Sequence, residues 1–443
     1  MASIFRLNGL VLVVGILCCF AKGSFAADLP DLEQDSLSGL GVNIHTSAAK
    51  YPTSFDMMKE AGVKIVRTNL YWGRVEKTKG EYVWSHYDDV VQKIAGAGAR
   101  PLFVLSFSNK LYADMYSYKQ KKGKGVGSTA LPPITQEGLA GFSAFAEAAV
   151  RHYKDSQVIW EIWNEPDYVQ FWRPIPNGAD YARLASAACL AIKKADPEAI
   201  VVGPASAGTP SEDNRIEWWL PFLKSPAMDC LDAISVHPYV RNTNKGPEIN
   251  SKKYARLRQL IAERTPRKIP IISTEFGFST TDWNVFPERQ AALFVRNYMV
   301  NLMENVPVSI WYDWRDDGRD PKNREHNFGI VTKDEWPKPV FYAAKTLSTE
   351  LSGYKFNKRE RLPKGEKNGF DDEVFVLSFT HPEKPRALVV WTTESRLREI
   401  SLPVEGSSVI VVDMFGETTP YSVEKGTISL KVNEKPQYVL LQK

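Results

Sequence analysis

The sequence lacks the marks of a nucleic-acid, nucleotide or metal protein. It has no charge of one sign: 56 Lys and Arg stand against 52 Asp and Glu, for a net of +4. That net falls to +2 once Arg6 and Lys22, the only charged residues of positions 1–26, are set aside. Such a balance leaves no electrostatic footprint for nucleic acid. The six histidines are scattered without ligand spacing and no zinc or nucleotide motif occurs, so neither cofactor nor metal is expected. No low-complexity tract is present, which argues for a folded chain with a large core. The longest apolar run near the N-terminus, Leu10 to Phe20, is short for a membrane span.

Arg6, that run and the small-residue ending Ser24-Phe25-Ala26 form the pattern of a secretory signal peptide over residues 1–26. The expected location is the periplasm or the outside of the cell. An uncleaved leader tethering the chain to the inner membrane is the lesser reading. Leu17 is too large to precede a lipid-modified Cys18, which argues against a lipoprotein. Cysteine is then reduced to Cys189 and Cys230. A disulfide is open to them, but two buried free thiols are the expectation, because a core of this size needs no staple.

What the chain does have is alternation. From Gly41 onward, short β-branched runs alternate with segments of helical period, the signature of repeated βα units around a parallel sheet. Eight candidate strands emerge: Gly41 to His45, Val63 to Asn69, Arg100 to Ser106, Gln157 to Trp163, Ile200 to Pro204, Ala233 to His237, Ile269 to Glu275 and Val308 to Asp313. Leu139, Phe142, Ala146, Ala149 and Tyr153 recur at steps of three or four, as one buried helix face requires. No Gly-x-Gly-x-x-Gly opens the first helix, so a (β/α)8 TIM barrel over 27–352 is preferred to an open doubly wound sheet. Beyond residue 353 the helical period stops. Alternating runs at Val374 to Phe379, Ala387 to Thr392, Val409 to Asp413, Thr427 to Val432 and Gln437 to Gln442 predict a small antiparallel β-sandwich over 353–443.

Active sites of such barrels lie at the C-terminal ends of the strands. Two apolar runs deliver a carboxylate there: Trp160-Glu161-Ile162-Trp163-Asn164-Glu165-Pro166-Asp167 on the fourth strand and Ile271-Ile272-Ser273-Thr274-Glu275-Phe276-Gly277 on the seventh. The two strands lie nearly opposite in the ring, so Glu165 and Glu275 can meet across its mouth. A facing pair of this kind is what glycosidic cleavage uses, one group as acid/base and the other as nucleophile. Surface glutamates in salt bridges are the bland alternative, and the strand-end placement argues against it.

With these motifs on the page, the sequence resembles clan A of the glycoside hydrolases, within it family 39, and there the PslG-type exopolysaccharide glycosidases. The resemblance covers the whole chain after the leader. It rests on Trp163-Asn164-Glu165-Pro166, Thr274-Glu275-Phe276-Gly277, Val236-His237-Pro238-Tyr239 and Arg67-Thr68-Asn69-Leu70-Tyr71-Trp72. It implies a retaining hydrolase in which Glu165 is the acid/base and Glu275 the nucleophile. Asn164 would bind the sugar 2-hydroxyl, while Arg67 and Tyr239 hold Glu275. His237 and His45 would line the pocket, and Trp311 would floor it.

Twelve Trp, eighteen Tyr and twenty-one Phe supply aromatic faces, and those on the loops (Tyr71, Trp72, Tyr112, Tyr116, Tyr118, Tyr168, Phe171, Trp172, Trp283 and Trp314) can serve as sugar platforms or as loop packing. A row of platforms suits internal cleavage of a polysaccharide, the expected partner, with no nucleic acid and a monomeric enzyme in view. Lys119, Lys121, Lys122 and Lys124 form a solvated loop, and Arg315, Asp316, Asp317, Arg319 and Asp320 either bind hydroxyls or pair among themselves. Two other readings stand: exo-acting trimming of chain ends, as by a β-xylosidase, and a catalytically silent polysaccharide-binding protein. In the latter case the chain would associate loosely with an exopolysaccharide export machinery at the inner membrane.

Overall fold

The computed structural model describes residues 28–31, 34–45, 52–120, 125–210, 215–240, 242–363 and 370–442. The leader and Lys121, Lys122 and Lys124 lie outside the described residues. Eight parallel strands close into a barrel: β1 Leu40–Asn43, β2 Ile65–Tyr71, β3 Arg100–Ser106, β4 Ile159–Ile162, β5 Ile200–Ser206, β6 Ala233–Val236, β7 Ile271–Phe276 and β8 Ser309–Trp311. Each pairs with its neighbours in sequence, and β1 pairs with β8 to complete the ring. The helices are α1 Pro52–Glu60, α2 Ser85–Gly96, α3 Gln136–His152, α4 Gly178–Ala195, α5 Ile216–Leu223, α6 Asn250–Ala262, α7 Pro287–Met303 and α8 Pro339–Glu350. This is the TIM barrel expected.

Strand parity organises everything that follows. Ile65, Leu102, Val104, Ile159, Ile200, Val202, Ala233, Ile272, Val308 and Ile310 fill the barrel interior. Their sequence neighbours face the helices, as a period of two requires. The third helix begins on a Thr135 cap, whose hydroxyl accepts from the Gly138 amide, and buries Phe142, Ala146 and Ala149.

Beyond α8 come β9 Lys355–Glu360, β10 Val374–Thr380, β11 Ala387–Thr392, β12 Arg398–Pro403, β13 Ser408–Val412, β14 Thr418–Ser422, β15 Thr427–Val432 and β16 Gln437–Leu441. Six of them form one antiparallel sheet in the order β9-β10-β11-β16-β13-β14, and β12 pairs with β15 over it. Val374 and Val376 face the β12–β15 pair, whereas Phe375, Leu377 and Phe379 share one apolar cluster with α7 and α8 of the barrel. A buried ion pair crosses the same seam, Arg289 to Glu434 at 3.0 Å, while Arg296 pairs within the barrel with Glu248 at 2.8 Å. Trp391 on β11 donates its indole N–H to Glu248 at 2.8 Å.

One expectation is overturned here. Cys189 on α4 and Cys230, in a short helical turn before β6, form a disulfide with Cα atoms 6.2 Å apart. The reason is tertiary: the chain between them, a sequence separation of 41, folds back so that α4 packs on that turn.

Candidate active site

The carboxylates reach the mouth of the barrel through local departures from regular strand. In β4, Ile159 and Glu161 point inward by parity. Beyond it, Trp163 and Glu165 both adopt left-handed backbone, with φ of 70° and 47°, so Trp163 turns back into the helix-facing core while Asn164 and Glu165 enter the cavity. Non-glycine residues held at positive φ are costly and gather at functional sites. The loop is stapled to β5: the Glu165 amide donates to the Ala205 carbonyl at 2.9 Å. Asp167 accepts from the Ser206 hydroxyl at 2.7 Å and the Ala207 amide at 2.8 Å, and it also pairs with Arg215. In β7, the pairing register with β8 shifts between Ser273 and Phe276. That irregularity sends Phe276 into the outer core and leaves Glu275 on the cavity.

An oxygen of Glu165, a nitrogen of His237 and an oxygen of Glu275 all lie within 4.8 Å of one another. Glu165 and Glu275 line a cavity of about 410 Å3 together with Asn43, His45, Arg67, Asn164 and Tyr239, whereas His237, expected to line the pocket, is fully buried behind it, because its ring packs under the two acids and Arg67. Arg67 occupies the middle of β2, not its end as expected. There the inward series Ile65, Arg67, Asn69, Tyr71 climbs from the packed interior into the cavity. Its guanidinium donates to Glu161 Oε2 at 2.7 Å, Glu275 Oε2 at 3.0 Å, Asn164 Oδ1 at 2.8 Å and Asn43 Oδ1 at 3.1 Å. With its oxygen turned to Arg67, the Asn164 amide presents its N–H2 group to a ligand. The Tyr239 hydroxyl donates to Glu275 Oε1 at 2.9 Å, so the nucleophile candidate is held by both oxygens.

His237 bridges the two halves. Its Nε2 faces Arg67 Nη2 at 3.4 Å, and a guanidinium can only donate. The imidazole proton therefore sits on Nδ1, which donates to Glu165 Oε1 at 2.9 Å. Burial keeps the ring neutral by pushing its pKa down. Glu165 is pushed up to about 8 by burial first and by the charge of Asp167 second, with Arg67 and Arg215 opposing. It is a carboxylic acid at neutral pH, with Oε2 free to carry the proton.

Not every expected residue reaches the cavity. Trp311 is 2% exposed and packs against Phe276 and Phe294 in the outer core, because parity from inward Ile310 turns it toward the helices. Its neighbour Tyr312 lines the cavity instead. Trp72, Trp172 and Trp314, expected among the platforms, are buried core. Tyr71, Tyr168 and Phe171 do line the cavity. His45 reaches it, with its Nε2 3.2 Å from Asp317 Oδ1, an ion pair when the ring is protonated. Within the eighth loop, Asp316 pairs with Lys338 at 3.0 Å and Arg319 pairs with Asp334. Sequence reasoning missed Glu161, Asn43, Phe107, Arg324, Glu325 and Phe328. A charged Glu161 at an inward position of an apolar strand was the available signal. Among the described residues, a second group of ligand-type atoms, His45, Asp313 and Asp317, also lies within 4.8 Å. Arg315 and Lys333 line the same small recess, and their charge works against a cation there.

A barrel with a carboxylate at the end of its fourth strand, another at the end of its seventh and an Arg-Asn-Tyr-His set between them defines a clan A glycoside hydrolase scaffold. Residues 31–318 match the family model described as cellulase (glycosyl hydrolase family 5), and the chain belongs to that family. Among solved structures, a family 39 glycoside hydrolase from the gut symbiont Bacteroides cellulosilyticus is similar at 26% identity with a TM-score of 0.75, over 94% of this chain and 82% of that one. A family 39 β-xylosidase from Caulobacter crescentus shares the fold at 17% identity, TM-score 0.64, over 94% of this chain and 98% of the other. A β-xylosidase of Geobacillus stearothermophilus is 24% identical over 284 residues, 59% of this chain. The chain spans 55% of that relative's length and 56% of a second β-xylosidase, from Caldicellulosiruptor saccharolyticus.

Proposed function

We propose that the chain is a retaining glycoside hydrolase of family 39 type that cuts a bacterial exopolysaccharide internally, in the manner of the PslG-type glycosidases. The observation that carries the retaining mechanism is the approach of Glu165 and Glu275 oxygens to within 4.8 Å. Carboxyl groups about 5–5.5 Å apart suit direct attack, whereas inverting enzymes need a wider gap for water. In the first step the Glu275 carboxylate attacks the anomeric carbon, the glycosidic C–O bond breaks, and the Glu165 proton passes to the leaving oxygen. In the second, Glu165, now a carboxylate, takes a proton from water. The resulting hydroxide attacks the same carbon and releases Glu275. His237, donating to Oε1, keeps the other Glu165 oxygen for proton transfer, and the Asn164 amide is placed for the 2-hydroxyl.

Internal cleavage is supported by the aromatic lining of the cavity, to which the loop after β4 contributes Tyr168 and Phe171 and the loop after β8 contributes Tyr312 and Phe328. Export is supported by the Cys189–Cys230 disulfide, which suits an oxidising compartment. The names of the β-xylosidase relatives favour a second reading, exo-acting removal of terminal sugars.

The test uses the purified protein with aryl glycosides and reducing-end-labelled polysaccharides. Proton NMR of the first product should show the anomeric configuration of the substrate, and mixed oligomers should appear before monosaccharide. Glu275→Ala should lose hydrolysis and recover part of it with azide, giving a glycosyl azide of inverted configuration. Early release of monosaccharide alone would favour exo action, full activity in both Glu165→Gln and Glu275→Ala would remove the two acids from the reaction, and no hydrolysis by the wild type of any substrate would leave a silent binding protein.

A further inference from the structure

On the active face, the loop between β7 and α7 carries Trp283 with 80% of its surface exposed, the highest value among the large apolar side chains described. An indole this exposed offers a broad flat apolar face, with an N–H at its edge, to whatever ligand passes over it. Its backbone is held on both sides. The Trp283 carbonyl accepts from the Thr243 hydroxyl at 2.6 Å, and the next carbonyl, of Asn284, accepts from Arg289 at 2.7 Å. On the other side, Asp282 caps the Ser279 amide at 3.0 Å and binds Arg324 at 2.7 Å. Arg324 lines the catalytic cavity and lies 4.5 Å over the Phe328 ring, which lines it too. The exposed ring is thus fixed to a rigid turn, one residue from the ion pair that forms the cavity rim.

We infer that Trp283 is the stacking platform of an outer sugar-binding subsite, taking a pyranose unit of the polysaccharide strand as it leaves the catalytic cavity. This rests on the hydrolase reading and deepens it: the substrate is a chain reaching beyond the scissile bond. The C–H face of a pyranose is apolar and flat enough to cover an indole. With the backbone held, only the two χ angles of the indole remain to be ordered on binding.

The test compares wild type, Trp283→Ala and Trp283→Phe on two kinds of substrate. These are p-nitrophenyl β-xyloside and whichever of xylan, carboxymethylcellulose or galactomannan the wild type cuts. The alanine variant should lose about tenfold or more in kcat/KM on polymer, mostly in KM. It should stay unchanged on the aryl glycoside, and phenylalanine should restore most of the loss. Equal effects on both substrates, or no effect on polymer, overturn the proposal. So does a change in oligomeric state by size-exclusion chromatography with polymer kinetics unaltered, which would assign the ring to contact between copies of the chain. If the wild type hydrolyses nothing, the hydrolase reading fails separately, and retardation in gels containing the same three polymers reads the platform alone. Wild type retarded more than Trp283→Ala supports it. Equal retardation, or none with any polymer, overturns it.

Discussion

His237 Nδ1 lies 2.9 Å from Glu165 Oε1, a neutral imidazole against a carboxylic acid, both buried beneath the cavity. The relationship engages one carboxyl oxygen with the imidazole and leaves the other, on the proposed mechanism, to hand its proton to the leaving group.

Activity should therefore fall as pH rises through about 8, where Glu165 loses its proton. Asp167→Asn removes the nearby charge that helps raise this group and leaves Arg67 and Arg215 still pulling it down. The alkaline limb of kcat/KM should move down by about one pH unit. A limb that stays in place would assign it to another group.

Stability should carry the same signature with the opposite use. Folded Glu165 holds its proton to about 8, against 4.5 for the ordinary carboxyl. Between these values the folded state binds the extra proton, so its stability declines as pH rises through that window. Glu165→Gln has no proton to lose. It should be more stable than wild type at pH 8 by about 1–3 kcal/mol, less than full conversion of the shift because the cavity admits water, and indistinguishable at pH 4. Urea unfolding at the two pH values reads the difference.

Arg67 is shared among Glu161, Glu275, Asn164 and Asn43, a geometry that a point-charge ammonium cannot reproduce. Arg67→Lys should lower kcat/KM by about a hundredfold or more with the fold retained. Glu161→Ala breaks a pair whose side chains are 2% and 0% exposed, and should cost about 3 kcal/mol of stability. Far-UV circular dichroism with chemical denaturation separates the two effects.

The Cys189–Cys230 bridge closes a loop of 41 residues, so a Cys189→Ser, Cys230→Ser double variant should lose about 2–4 kcal/mol while hydrolysing substrate normally. Loss of activity at temperatures where the variant is still folded would instead place the bridge in control of the site.

How much of this could be read beforehand follows from parity and distance. Glu165 and Glu275 were legible because each is a charge at the end of an apolar run, and the barrel followed from eight repeats of one pattern. Arg67, Tyr239 and Asn164 came through resemblance rather than through any local signal. Trp311 was misplaced by one position. The step of two from inward Ile310 sends Tyr312, not Trp311, to the cavity, and that phase is set by neighbouring strands. The disulfide depends on contact between positions far apart in sequence, which no local pattern carries. In the C-terminal sheet, β9 and β14 escaped notice because they are edge strands rich in exposed polar residues, Lys355-Phe356-Asn357-Lys358-Arg359-Glu360 and Thr418-Thr419-Pro420-Tyr421-Ser422. Such edges resist unwanted pairing at the expense of the apolar alternation by which strands are recognised.

Because Phe375, Leu377, Phe379 and Trp391 are embedded among residues of α7 and α8, the last ninety-odd positions are no detachable ornament. A fragment ending after α8 would bare a greasy wall and take Glu434 from Arg289 and the Trp391 indole from Glu248. Anyone wishing to graft, fuse or shorten this protein must cut elsewhere, since the barrel borrows its outer skin from the sheet that follows it.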